Sequence, residues 1–235
     1  MIQEILSHFE TFGEVIDSWY IGGPFRTYCQ TPAFWTALTE WHGLDAANAY
    51  LRTPISLQRF ELILTHLPSL INSHVDGETL LIFASKQNQA EKVTWLLRHK
   101  ADPNLQDGDG QTALIYASAN GHLEIVRKLL ECGADPNLQA VDGWTALMCA
   151  SDNDYLEIIR VLLQYEADPN LQDGYDQTVL ISASARGYLE TVQELLHHGA
   201  DPNLQTGNGW AALMYASAGD RLEIVQLLNE WKPSK

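Results

Sequence analysis

A segment of 33 residues occurs four times in succession, and this feature limits the possible folds of the chain more than any other. The copies begin at Ala101, Ala134, Ala167 and Ala200, and each opens with Ala-Asp-Pro-Asn-Leu-Gln. A fixed period of this length is typical of stacked supersecondary units, each of which buries its apolar face against its neighbours. The period therefore predicts an extended solenoid with a large surface, and surfaces of that kind usually bind other proteins.

Each copy has the pattern of two helices joined by a turn. Leu123, Val126, Leu129 and Leu130 fall on one helical face and predict a buried stripe. Thr112 precedes an apolar run, where its hydroxyl is expected to cap a first helix. Glycines that tolerate a left-handed backbone stand at the expected helix ends, namely Gly121, Gly133, Gly187 and Gly199.

These copies resemble the ankyrin repeat. Residues 112–117, Thr-Ala-Leu-Ile-Tyr-Ala, stand where that family has Thr-Pro-Leu-His-x-Ala, and residues 145–150, 178–183 and 211–216 align in the same way. The Pro and His of the family are missing from all four copies, so the family's His-mediated hydrogen bonds between repeats are not expected here. The resemblance implies an all-α ankyrin-repeat solenoid, with β-turn tips between helix pairs.

A looser fifth copy precedes the four. Residues 76–85 match the turn and first helix, and Glu91, Val93, Leu96 and Leu97 match the second helix. The sequence therefore predicts an ankyrin-repeat domain over residues 68–235, with repeats at 68–100, 101–133, 134–166, 167–199 and 200–232.

The first 67 residues lack the repeat but hold 11 of the 22 aromatic residues, which predicts a packed segment. Apolar residues follow helical spacing from Ile2 to Trp19, Gly22-Gly23-Pro24 breaks the pattern, and Pro32 begins a helix ending near Gly43. Residues 55–67 fit the second helix of a degenerate repeat. We interpret residues 1–67 as a helical N-terminal subdomain that caps the stack, since a terminal repeat otherwise exposes its apolar face.

The charge of the chain is strongly acidic and uneven. The formal net charge is −16, of which −12 lies in residues 101–199. Such a field disfavours nucleic acid, whose phosphates it would repel, and favours a basic protein partner. An enzyme and a toxin are the candidate classes for that partner. A simple contribution to solubility is the alternative explanation. Asp102 and Glu124 recur in every copy and are interpreted as fold residues.

The resemblance also indicates a binding face, because ankyrin proteins use the turn tips and the exposed ends of the first helices, which together form a concave surface. The residues at the matching positions of this chain form the candidate partner-binding set: Asp109, Gln111, Asn120, Asp142, Trp144, Asp152, Asn153, Tyr175, Gln177, Arg186, Asn208 and Trp210.

Trp144 and Trp210 stand out in this set. The same position is Gln111 and Gln177 in the other two copies, so the fold does not require an indole there. Exposed tryptophan beside acidic residues is typical of an interface anchor. The alternative is local packing of each ring against its own turn.

Other sites are not supported by the sequence. His197 and His198 are neighbours on a helix and point in different directions, so they do not form a metal pair. Asp107-Gly108-Asp109-Gly110 lacks the bidentate Glu of a calcium loop. Cys29, Cys132 and Cys149 have neither pairing nor metal spacing and are interpreted as reduced thiols. No cofactor and no catalytic residue are expected.

The N-terminus has no secretory pattern, and no stretch approaches a membrane span, so a cytoplasmic location is expected. The sequence therefore favours a non-catalytic module that binds a basic protein through an acidic concave face, with inhibition of that protein, as by an immunity protein, as the candidate role. An adaptor, or a secreted bacterial effector that engages a host protein, is the alternative. A third alternative is an enzyme whose catalytic part is the N-terminal segment. The C-terminal repeat keeps apolar residues where a terminal repeat normally has a polar outer face. Two alternatives therefore remain: weak self-association through this repeat, or a monomer in which Trp231 covers it.

Overall fold

The computed structural model describes Thr11, residues 13–16 and residues 32–231. Contacts divide the chain into two compact units, Met1–Asp102 and Pro103–Lys235. Residues 13–16 are helical and bury Val15 and Ile16. The remainder of the helix predicted from Ile2 to Trp19, the break at residues 22–24, Cys29 and residues 232–235 lie outside the described residues. The subdomain boundary between residues 67 and 68 stays a prediction.

The first unit is helical apart from one short hairpin. Helix α1 (Pro32–Leu51) has non-helical backbone at Gly43, with φ of 81°, at the point where the sequence predicted a helix end. The remaining elements are α2 (Leu57–His66), a 3-10 turn (Pro68–Leu70), strands β1 (His74–Val75) and β2 (Glu78–Thr79), α3 (Leu80–Lys86) and α4 (Ala90–Arg98).

Aromatic side chains form much of the core of this unit. Phe34, Trp35 and Phe60 are almost completely buried. The Phe34 and Trp35 rings meet edge to face at 5.6 Å, and the Phe60 ring meets that of Trp95 on α4 in the same way at 5.9 Å. The predicted packing of the aromatic-rich segment is confirmed for these residues.

The second unit consists of four helix pairs. They are α5 (Ala113–Ala119) with α6 (Leu123–Glu131), α7 (Ala146–Asp152) with α8 (Leu156–Gln164), α9 (Val179–Arg186) with α10 (Leu189–His197), and α11 (Ala212–Ala218) with α12 (Leu222–Glu230). Each first helix packs against the next first helix, and each second helix against the next second helix. This two-layered stack confirms the predicted all-α solenoid.

The helix starts follow the predicted chemistry. The hydroxyl oxygens of Thr112, Thr145 and Thr178 each accept a hydrogen bond from the backbone N–H three residues further on, at 3.2–3.3 Å. In the final repeat, the first helix (α11) begins after Ala211 and has no side-chain cap. On α6 the buried residues are Ile125, Val126, Leu129 and Leu130. The buried stripe therefore contains Ile125 in place of Leu123, which the sequence spacing had predicted.

Two polar side chains per repeat connect neighbouring copies. Asn137 donates from Nδ2 to the carbonyl of Glu166 at 3.1 Å and accepts the N–H of Asp168 at 2.7 Å. Gln139 donates to the carbonyls of Gly143 and Gln172, at 2.7 and 2.9 Å. The same bonds recur in the flanking copies, through Asn104, Asn170, Gln106 and Gln172.

Among the described residues, the final repeat packs against another repeat on one side only. Met214 is 48% exposed and Leu222 is 77% exposed. The Trp231 ring stands edge-on to His197 at 5.3 Å, which covers part of this end. A groove of about 620 Å³ remains beside it, lined in part by Met214 and Leu228. The described structure therefore combines both expectations, a partial Trp231 cap and an exposed apolar patch.

Candidate functional site

The hairpin tips of the second unit bond directly to one another. The carbonyl of Asp109 accepts the N–H of Val141 at 2.9 Å, and the carbonyl of Asp142 accepts the N–H of Gly174 at 2.8 Å. Gly143 has φ of 85°, and a Cβ there would lie 2.8 Å from the Cα of Asp173. Glycine is therefore required where one tip meets the next, and the first three tips form a continuous rigid row.

A carboxylate at the base of two of these tips holds the turn together. Asp107 Oδ1 accepts the N–H groups of Asp109 and Gln111, and its Oδ2 accepts the hydroxyl of Tyr116 at 2.7 Å. Asp173 accepts the N–H groups of Tyr175 and Gln177. These acids maintain the tips. This role was not predicted from the sequence, although their position two residues before the tip apex is typical of an Asx-type turn.

The four apex residues of the candidate set project into solvent. Asp109, Asp142, Tyr175 and Asn208 are all exposed. The flanking residues Gln111 and Gln177 are half-buried. The structure thus brings the tip members of the set onto one edge of the second unit.

The members at the first-helix ends are largely engaged with the fold. Asn120 caps α5 by donating to the carbonyl of Tyr116 at 2.8 Å. Asn153 caps α7 through the carbonyl of Cys149 at 3.1 Å. Arg186 of the third copy forms an ion pair with Asp152 of the second copy. That pair neutralises one acid of the surface and links two repeats.

The two tryptophans occupy different environments. Trp210 is 40% exposed, and its ring meets that of Tyr215 at 5.2 Å, so local packing holds one side of an accessible indole. Trp144 is half-buried and lines a cleft with Gln177 and Val179 of the next copy. That cleft encloses about 20 Å³, the size of one water molecule, which excludes a small-molecule ligand.

Positive charge is segregated from the tips. Residues 101–199, all of which the structure describes, contain four Lys or Arg residues, and three of these lie on the second helices α6 and α8. Lys128 pairs there with Glu124, and Arg160 pairs with Glu157 and Glu194. The fourth is Arg186, which pairs with Asp152. The exposed acids of the tips therefore have no cation from their own repeats beside them.

Burial also removes one nucleophile from consideration. Burial, together with the negative charges of Asp142 and Asp152, raises the pKa of the Cys149 thiol to about 12. A thiolate is the reactive form of cysteine, so this side chain is inert near neutral pH. Within the described part of the chain, no cluster of three or more His, Cys, Asp or Glu side chains is arranged to hold a metal ion.

Comparison with known families agrees with this architecture. A model of ankyrin repeats, three copies in length, matches residues 56–140, 81–173, 126–206 and 167–234. The chain belongs to the ankyrin-repeat family, and its repeats form a protein–protein interaction module. No curated protein shows significant similarity to the chain. Among the described helices, none combines the length and the apolar character that crossing a bilayer requires.

Proposed function

We propose that the chain is a non-catalytic binder of a basic protein and that it acts by covering the basic surface of that protein. The contact surface is the tip surface, defined as the four hairpin tips with Asp109, Asp142, Tyr175, Asn208 and Trp210. The observation that carries the proposal is the segregation of charge, since three of the four Lys and Arg residues of residues 101–199 lie on the second helices and the fourth, Arg186, is paired with Asp152.

The physical reason is that exposed, uncompensated carboxylates create a negative potential at one edge of the molecule. Asp109, Asp142 and Asp176 are exposed on three successive tips, and their backbones are fixed by the bonds between tips. A rigid acidic row accelerates encounter with a basic surface and loses little conformational entropy on binding. Trp210 adds an accessible indole, the type of side chain that dominates binding energy at interfaces.

The role we favour is that of an antagonist, which binds a basic enzyme or toxin and blocks its activity. Among the described residues, no three His, Cys, Asp or Glu side chains are arranged to hold a metal ion, and the Cys149 thiol near the tips is inert at neutral pH. Binding itself is therefore the action that these residues support best.

The proposal is tested by comparing two triple variants of equal charge. Asp109→Asn, Asp142→Asn and Asp176→Asn neutralise the tips, while Glu131→Gln, Glu190→Gln and Glu223→Gln neutralise exposed acids elsewhere. Each protein is used to capture partners from a lysate of the source cells. A basic protein retained by wild type and by the Glu variant, and lost by the Asp variant, supports the proposal.

The kinetics provide the second part of the test. Association with the captured protein should slow steeply between low salt and physiological salt, where the screening length is about 8 Å. Capture of a partner that is neutral or acidic, or an association rate that does not change with salt, would contradict the proposed surface. If the partner is an enzyme, its turnover is measured with and without the chain, and unchanged turnover would contradict the antagonist role.

A further inference from the structure

A lysine in the first unit occupies a position that other repeats fill with an apolar side chain. Lys92 lies on α4 and aligns with Ile125, Ile158, Thr191 and Ile224 in the following copies. As in those copies, the residue is buried, with 7% of its surface exposed. A charged group at such a position is costly unless something compensates the charge.

The described residues provide little compensation. The Lys92 ammonium lies 5.1 Å from the centre of the Phe60 ring, which offers a cation–π contact. No described carboxylate pairs with it, and no described group accepts a hydrogen bond from it. Burial lowers the pKa of Lys92.

Lys92 lines a cleft of about 480 Å³ within this unit. That volume lies in the range of small-ligand sites in proteins. One wall is apolar and consists of Pro54 and Ile55 in the loop before α2 and Leu57 at the start of α2. The other wall is the segment that begins α4, which includes Gln89, Glu91 and Lys92.

The start of α4 contributes further unpaired groups. Gln89 precedes the helix but makes no capping bond with its side chain, so the first N–H groups of a nine-residue helix stay available. Lys92 and the helix N-terminus thus line one cleft beside an apolar wall.

We propose that this cleft binds a carboxylate attached to an apolar body. The Lys92 ammonium and the first N–H groups of α4 bind the carboxylate, and Pro54, Ile55 and Leu57 contact the apolar part. Glu91 lies in the same wall, and its negative charge disfavours a doubly charged phosphate more than a singly charged carboxylate. The site shares no residue with the tip surface, and its ligand is a carboxylate, whereas the tip surface binds a basic protein.

Two kinds of ligand contain a carboxylate attached to an apolar body, and separate probes distinguish them. Hexanoate represents a small carboxylate, and an Ala-Ala-Leu-Leu peptide with a free C-terminal carboxylate represents the end of a protein chain. The same peptide with an amidated end, and inorganic phosphate, are the controls. Binding is measured by titration with NMR detection of the Lys92 side-chain CεH signals of the full chain.

The decisive variant is Lys92→Ile, because isoleucine stands at this position in three of the following repeats and is compatible with the fold. It should lose carboxylate affinity by about tenfold or more, as expected for a charge-assisted bond, while the melting temperature stays equal or rises. Lys100→Gln, which removes an exposed lysine of the same unit, should bind as wild type does.

Saturable binding of hexanoate alone would identify a small-molecule site, and binding of the acid peptide but not its amide would identify a chain terminus. Glu91→Gln should tighten either interaction. The proposal is overturned if wild type binds neither probe, if Lys92→Ile binds as tightly as wild type, or if phosphate binds more tightly than both carboxylates.

Discussion

The side-chain carbonyl oxygen of Asn104 accepts a hydrogen bond from the backbone N–H of Asp135, at 2.8 Å and 31 residues further along the chain. The amide nitrogen of the same side chain donates to the carbonyl of Gly133 at 3.1 Å. One asparagine per repeat thus pairs a donor and an acceptor where one helix pair ends and the next hairpin begins. We call this arrangement the asparagine clamp, and it recurs at Asn137 and Asn170.

The clamp should contribute measurably to stability. Asn137→Ala removes both bonds and leaves the N–H of Asp168 and the carbonyl of Glu166 without this partner. We expect the free energy of unfolding in urea to fall by about 1–2 kcal/mol. Asn203→Ala is the matched control, because Asn203 occupies the same repeat position but its Nδ2 bonds only to Asp201 among the described residues. Equal losses in the two variants would contradict a role for the clamp.

Buried serines should limit the stability of the stack. The hydroxyls of Ser85, Ser118, Ser151 and Ser184 are buried without a hydrogen-bond partner among the described residues. Ser184→Ala removes an unsatisfied polar group and raises helix propensity, so we expect a gain of about 1 kcal/mol in unfolding free energy. Ser217, the exposed equivalent, donates to the carbonyl of Leu213 at 2.8 Å, and Ser217→Ala should change little. A loss of stability in Ser184→Ala would reveal a bond that the hydroxyl makes in solution.

The two tryptophans of the candidate binding set, Trp144 and Trp210, are tested with a substitution that the chain itself provides. Glutamine occupies the position of Trp144 and Trp210 in two other copies, as Gln111 and Gln177, so Trp210→Gln and Trp144→Gln should fold normally. We expect each to weaken binding of the captured basic partner by about 2 kcal/mol, as measured by calorimetry. Unchanged affinity in Trp210→Gln would show that its contact with Tyr215 is purely local.

The Cys149 thiol should be a sensitive probe of opening of the second repeat. At about pH 8.5 we expect iodoacetamide to label exposed Cys132 at least about tenfold faster than Cys149, with peptide mass spectrometry as the readout. In the unfolded chain the thiol ionises near 9.0, and in the folded chain near 12. The unfolded state therefore releases its proton first, and this thiol lowers folding stability as pH rises above about 9. Equal labelling rates in the native protein would show that the second repeat opens readily.

The final repeat should open before the others. Only Ala212, Ala216, Ile224 and Leu228 are buried on α11 and α12, whereas α9 and α10 bury larger residues such as Leu180, Ile181, Leu195 and Leu196. Backbone amides of residues 200–231 should therefore exchange with deuterium faster than those of residues 134–199. Ala211→Thr, which restores the missing cap, should slow that exchange. Equal protection across the repeats in a monomeric sample would mean that Trp231 covers the end sufficiently.

Much of the fold could be predicted from sequence because each copy repeats the same local signals. Thr112 and its equivalents cap helices as expected, and the period alone placed every helix pair of the second unit. The link between Arg186 and Asp152 was not predicted, because an ion pair between residues 34 positions apart depends on the packing of α7 against α9. The half-burial of Trp144 depends in the same way on the neighbouring copy.

The roles of the most regular residues were also missed. Gln106, Gln139 and Gln172 recur in the Ala-Asp-Pro-Asn-Leu-Gln segment, but their regularity does not show which groups they contact. Lys92 shows the opposite case, since only its departure from the pattern identifies it. A repeat sequence therefore indicates function best at the positions where copies differ, and structure is needed to show which differences are buried.

The glutamine bonds also determine how this chain can change in length. Gln106 donates to the carbonyl of Gln139, Gln139 to that of Gln172, and Gln172 to that of Gln205, always 33 residues ahead. Removal of residues 134–166 would leave Gln106 facing Gln172 and Asn104 facing Asp168, so both interactions would find an equivalent partner. A deletion one residue shorter would leave them misaligned. Whole repeats are thus exchangeable parts, and evolution can lengthen or shorten the binding surface in steps of one repeat without redesigning a single junction.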